Sequence, residues 1–96
     1  MPQYRLTPAA QADLESIWEY TVANWGTVQA EGYIRSIQTA CEGLIFGNTV
    51  SRSAEDIRAD YRKAAIGSHV VFFKQSKDGA VIVRILHKRM DIERHL

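Results

Sequence analysis

The spacing of apolar residues along this chain changes twice, and the changes divide it into elements. Tyr4-Arg5-Leu6 alternates like a short edge strand and runs into Thr7-Pro8, where threonine suits an N-cap and proline the first helical position. From there to about Asn24 the pattern is helical: Leu14, Ile17, Trp18, Thr21 and Trp25 share one stripe, with Gln11, Asp13, Glu15 and Glu19 between them. Both tryptophans read as core or helix-pairing residues. Gly26 stops this helix and Thr27 caps a second one, which carries Ala30, Tyr33 or Ile34, Ile37, Cys41 and Leu44 and reaches Gly43 or Phe46. So short a link makes the two an antiparallel helical hairpin.

Residues 47–60 form a polar surface connection, in which Ser53–Asp56 can start a helical turn. After it the period becomes two. Gly67-Ser68 suits a type II′ turn and Asp78-Gly79 is a hairpin signal, so three strands meander. With Ser76–Gly79 as the loop, Gln75 faces Ala80, Phe73 faces Ile82 and Val71 faces Arg84, while the earlier turn sets Ile66 against His69 and Arg62 against Phe73. One face then holds Ala65, Val70, Phe72, Val81, Val83 and Ile85, with Tyr61, Lys63 and Lys74 at its margin, and is the natural seat for the helical hairpin. The other holds Arg62, Ala64, Ile66, His69, Val71, Phe73, Ile82, Arg84 and Leu86. An apolar field of that extent left open to water calls for a partner.

The expected architecture is α+β: an N-terminal edge strand, an antiparallel helical hairpin packed on one face of an antiparallel β-meander, and a short C-terminal helical turn. Ninety-six residues suit one domain over 1–96, and 46% hydrophobic with 24% charged residues is an ordinary globular balance. No apolar run approaches the roughly 20 residues of a membrane span. The N-terminus has no charged-then-apolar signal pattern, so a cytoplasmic location is expected. Cys41 is the one cysteine, which leaves no internal disulfide and no Cys cluster for a metal, and its helical setting reads as a buried small hydrophobe.

Charge is divided unevenly. Residues 1–50 hold two basic and five acidic groups, a net of −3, and residues 51–96 hold ten and six, a net of +4. Anionic partners meet the sheet half first. No Gly-rich phosphate loop, GxSxG, HExxH or CxxC occurs, so neither a cofactor nor a metal is implied. His69, His87 and His95 stand apart with no nucleophile at a recognisable spacing, and His87 at a strand end reads as a hydrogen-bonded structural residue. Arg62 and Arg84 offer planar forks for phosphate or carboxylate, or else pair with local acids. In the tail Lys88, Arg89 and Arg94 alternate with Asp91 and Glu93, as a self-paired turn of helix would.

The stretches YRLTPAAQADLESIWEYTVANWG, YRK, GSHVVFF and above all VRILHKRMDIERHL resemble the ParE toxins of bacterial type II toxin–antitoxin modules, across nearly the whole chain. The resemblance implies the ParE/RelE fold and a small ParD-like antitoxin whose flexible C-terminal segment wraps the toxin. It also implies DNA gyrase as the target, poisoned by binding, so that replication halts. The related RelE branch cleaves mRNA on the ribosome instead. Arg62 and Arg84 match positions where that branch carries arginines, but its lysine pair after the second helix and its C-terminal tyrosine are missing, for residues 47–60 hold no lysine and the tail after Leu86 no tyrosine. A histidine that took over proton transfer would keep a ribosome-dependent endoribonuclease as the alternative. The connection FGNTVSRSAEDIRADYRK between the second helix and the sheet also lacks the prolines such toxins lead one to expect.

A third possibility is a non-catalytic interaction module that binds nucleic acid directly. Both long helices are acidic or neutral on their polar faces, so specific direct nucleic-acid binding is not expected. The expected antitoxin surface is Arg62, Ile66, His69, Val71, Phe73, Ile82, Arg84 and Leu86, met by a segment that is acidic, apolar and disordered until bound. Target contacts are expected from Arg62, Arg84, His87, Lys88 and Arg89. Alternatively His87 and Arg89 only tie the last strand to Asp91.

Overall fold

In the computed structural model, which describes residues 3–90 and 92–96, Thr7 does two things at once. Its hydroxyl oxygen accepts the Ala10 N–H at 3.1 Å, which caps the first helix, and donates to the Val83 carbonyl at 2.7 Å, which pins that helix start to the sheet. The elements are β1 (Gln3–Leu6), α1 (Pro8–Trp25), α2 (Thr27–Phe46), β2 (Arg52–Ser53), β3 (Arg62–Ile66), β4 (His69–Ser76), β5 (Gly79–His87) and α3 (Ile92–His95). Thr27 is the first residue of α2 and not its cap. Gly26 alone links the helices: its N–H donates to Val22, its carbonyl accepts from Ala30, and its φ of 89° with ψ of 171° is a conformation open to glycine.

The sheet order is β1-β5-β4-β3-β2, with β1 parallel to β5 and the other pairs antiparallel. A side chain at Gly79 would overlap the carbonyl of Gln3, so glycine lets the first strand lie alongside the last. Ile66 faces His69, Arg62 faces Phe73, Phe73 faces Ile82 and Gln75 faces Ala80, as the turns dictate. Then the ladder slips. A bulge at Phe72/Phe73 sets Phe72 opposite Arg84 and Val71 opposite Ile85, so the expected pairing of Val71 with Arg84 is corrected.

The two faces are also reversed for most of the meander. The helices cover Ala64, Val71, Phe73, Ala80, Ile82 and Ile85, with Ile66 half-buried beside them, and contribute Ala10, Ile17, Ile37, Cys41 and Leu44. Of the residues expected under the helices, only Ile85 is there. Nor is the second face open. Phe72 and Leu86 are buried on it beneath Ala54, Ile57 and Tyr61 from the connection and Ile92 and Leu96 from the C-terminus. Two arginines fasten that cover, Arg58 donating to the Leu96 carbonyl and Arg84 to that of His95 at 2.8 Å. Residues 47–60 are therefore more than a surface link: β2 pairs with β3, and Ala54 is fully buried.

Cys41 is the small core hydrophobe its pattern suggested. Burial, with Glu42 adding to it, pushes the thiol up to about 11 from an ordinary 9.0. A folded pKa above the unfolded one favours the fold fully below pH 9, and that contribution is lost as pH rises towards 11. Iodoacetamide at pH 8 should leave the native protein unlabelled for hours and label it within minutes in denaturant. Rapid native labelling would place the thiol at the surface.

Candidate functional site

The last turn of α1 stands clear of the sheet, because Thr21 is the last buried residue of that helix. Tyr20 just before it and Trp25 beyond it are 63% and 62% exposed, and their rings meet edge to face at 5.9 Å. Together with the start of α2, the β3–β4 turn and the end of β5, they enclose a groove of about 730 Å³. Its floor holds Ile17, Ile85, Tyr33, His69 and His87, and Met90, 43% exposed, closes the far side. Large apolar side chains gathered in one concave surface mark a place for a partner.

Tyr33 organises the floor. Its hydroxyl lies 2.6 Å from His69 Nδ1 and accepts the Ser68 N–H at 3.0 Å. The turn it supports needs a left-handed residue first, and Gly67 supplies φ of 56°, where a side chain would press on the Tyr33 ring. His87 sits opposite His69, ring centroids 5.2 Å apart and edge-on, and its Nδ1 accepts the backbone N–H of Arg89 at 3.1 Å. Burial and then the neighbouring His87 hold His69 below its ordinary 6.5, with Asp13 pulling the other way. The neutral ring therefore favours the fold above pH 6.5, an advantage lost as pH falls through the lowered value.

Asp13 itself is committed. Its two oxygens accept the Arg84 guanidinium at 2.8 Å each, and one also accepts the Ile85 N–H at 2.9 Å. Lys88 and Arg89, which follow His87, are exposed, so the groove meets a partner with positive charge at its end.

The expected site is thus dispersed. Val71, Phe73 and Ile82 are sealed beneath the helices, Leu86 beneath the C-terminal cover, and Ile66 packs against the core, so these five cannot form one free surface. Arg62 donates to Ser51 and keeps its expected place opposite Phe73, while the bulge sets Arg84 opposite Phe72, where it reaches Asp13 and the His95 carbonyl. Only His69 and His87 of the expected residues line the groove, with Lys88 and Arg89 next to it. A tie from His87 or Arg89 to Asp91 lies outside the described residues, as does pairing within the tail through Asp91 or the Glu93 side chain. Tyr20, Trp25, Tyr33 and Met90 were not anticipated as site residues. The one signal for Trp25 was its place beside Gly26, where the helix ends.

Among the described residues no group of three or more His, Cys, Asp or Glu side chains stands ready for a metal, and no helix is long and apolar enough to cross a membrane.

Comparison with known proteins agrees with this architecture. A family model described as the ParE toxin of the type II toxin-antitoxin system, parDE, matches residues 4–92. Toxin ParE1 of Mycobacterium tuberculosis H37Rv is 43% identical over 95 residues, 98% of this chain and 97% of that protein. Toxin ParE1 of Caulobacter vibrioides is 40% identical over 96 residues, all of this chain and 99% of that one. Among solved structures, the chromosomal ParDE system from P. aeruginosa superposes with a TM-score of 0.75 at 21% identity, covering 91% of this chain and 96% of that chain, and so shares the fold.

Proposed function

Since the chain belongs to the ParE toxin family of type II toxin–antitoxin systems, we propose that it is held inactive in the cytoplasm by a ParD-like antitoxin and, once free, inhibits DNA gyrase by binding. The observation that carries inhibition by docking over RNA cleavage is the separation of the two arginines. A ribonuclease needs its cationic groups around one phosphate. Arg62 on β3 is opposite Phe73 and bound to Ser51, whereas Arg84 on β5, with β4 between them, is opposite Phe72 and already bound to Asp13 and the His95 carbonyl.

The groove is the antitoxin's seat in this reading. Tyr20, Trp25 and Met90 offer anchors for apolar side chains, and the charge on Lys88 and Arg89 suits an acidic segment. His87, Lys88 and Arg89 form the adjoining contact for the target, so an antitoxin in the groove blocks target docking at its edge. Trp25→Ala should leave the melting temperature within about 2 °C, as exposed positions do. It should weaken the antitoxin complex by about 30-fold, the effect of losing one aromatic anchor. Calorimetry with the co-expressed antitoxin measures this, and unchanged affinity would remove the groove from the interface.

An mRNA endoribonuclease is the competing reading, favoured by His69 and His87 standing close enough to share proton transfer. Cells decide between them. Expression without antitoxin is expected to stop division and induce the DNA-damage response while bulk mRNA stays intact, and early mRNA loss without that response would favour the ribonuclease.

A further inference from the structure

The bonds that hold the two imidazoles of the groove leave the same atom free on each. A backbone N–H can only donate, so His87 Nδ1 is the acceptor for Arg89 and the ring's proton sits on Nε2. The Tyr33 hydroxyl has one proton and two acceptors in reach, His69 Nδ1 at 2.6 Å and the Ile66 carbonyl at 3.4 Å. Donation along the shorter bond leaves the His69 proton on Nε2 as well. Two Nε2–H donors thus belong to rings 5.2 Å apart that both line the groove, and no hydrogen bond among the described residues engages either. Paired N–H donors suit an oxyanion.

We propose that His69 and His87 together receive a side-chain carboxylate of the antitoxin segment, with an apolar residue of the same segment against Trp25 and Tyr20. This rests on the groove being the antitoxin's seat. The charges around the pair favour such a ligand. From α1 the facing acid is Asp13, neutralised by Arg84. From α2 comes the uncharged Tyr33, and beyond β5 lie Lys88 and Arg89. The apolar walls suit side chains better than a nucleic-acid backbone.

The two rings differ in what binding does to them. Protonation of His69 on Nδ1 requires only that the Tyr33 hydroxyl turn its proton to the Ile66 carbonyl and accept from the ring. At His87 the same step would break the bond from Arg89. A bound carboxylate favours the imidazolium form and offsets the burial that disfavours it, so the complex takes up its proton at His69.

The test is calorimetry of the co-expressed antitoxin binding to the full chain at pH 6 and pH 8, in two buffers of different ionisation heat. Wild type should bind about three- to fivefold tighter at pH 6 than at pH 8, since a shift of about one pKa unit is only partly expressed at pH 6 when the free ring sits below its ordinary value, and should take up a proton on binding in that range. His69→Gln, which keeps an N–H donor but cannot take the proton, should bind without that pH dependence. Affinity independent of pH with no proton uptake in wild type overturns the carboxylate site, whatever the variants do. If Trp25→Ala still weakens binding in that case, the groove remains the antitoxin's seat. If Trp25→Ala has no effect, the seat itself is wrong.

Discussion

Val71→Asp is expected to abolish the folded state. Val71 is fully buried between the helices and the sheet, opposite Ile85 and beside Ala64 on β3. A carboxylate there has no partner among the residues of the core cluster, and full burial raises such a group's pKa by about 3–5 units, which at pH 7 costs about 4 kcal/mol, the cost of protonating a group whose ordinary value is about 3.9. Loss of the buried valine adds about 1.5–2 kcal/mol. Together these rival the whole stability of a chain this size, about 5–14 kcal/mol. Circular dichroism and amide dispersion in NMR should show an unfolded or collapsed chain, whereas Val71→Ala stays folded. A Val71→Asp protein with native spectra that had lost only antitoxin binding would return Val71 to an open surface.

Arg84→Glu should also act through the fold. Side chains of the Arg84–Asp13 pair retain only 22% and 14% exposure, and Asp13 holds the Ile85 N–H as well. Exposed pairs contribute up to about 1 kcal/mol and breaking a buried one costs about 3–5, so loss of this pair should cost about 2–3 kcal/mol. Reversal adds repulsion from Asp13 and takes the donor from the His95 carbonyl, loosening the C-terminal cover. At about 4–8 °C per kcal/mol the melting temperature should fall by about 10–20 °C. Arg84→Ala should fall slightly less, and a double-mutant cycle with Asp13→Ala should return most of the loss as coupling. A melt within 2 °C of wild type would mean that the pair contributes nothing in solution.

Both substitutions look like interface probes until the faces of the sheet are known, and that marks where sequence legibility ends. Element boundaries were legible because local chemistry sets them: Thr7-Pro8 starts a helix, Gly26 breaks one, and Gly67-Ser68 fixes a turn. The facing of the strands was not. Val70 to Phe73 is apolar on both sides of the pleat, since one face packs under helices and the other under a loop and the C-terminal turn, so alternation carries no sign. The bulge at Phe72/Phe73 then moved Arg84 from its expected place opposite Val71 to one opposite Phe72, and no residue nearby announces it. The partner of Arg84 was equally hidden, because Asp13 lies 71 positions earlier.

In the groove, His69 and His87 were visible as chemistry, but Trp25 was read as a core or helix-pairing residue because helical spacing counts residues and does not show where the sheet beneath stops. The inner stripe of α2 was read as passing through Tyr33 or Ile34, and both pack against the core. The hydrogen bond from Tyr33 to His69 depends on the turn at Gly67 reaching the helix, which only the assembled fold displays.

Docking without catalysis is the central claim, and one side-by-side assay on purified toxin tests it most directly: gyrase supercoiling with trapping of cleaved DNA, and mRNA integrity on translating ribosomes. The account predicts loss of supercoiling with cleaved DNA held on gyrase, relief by antitoxin, and intact ribosome-bound mRNA. Codon-dependent cuts in the mRNA with gyrase unaffected would contradict it.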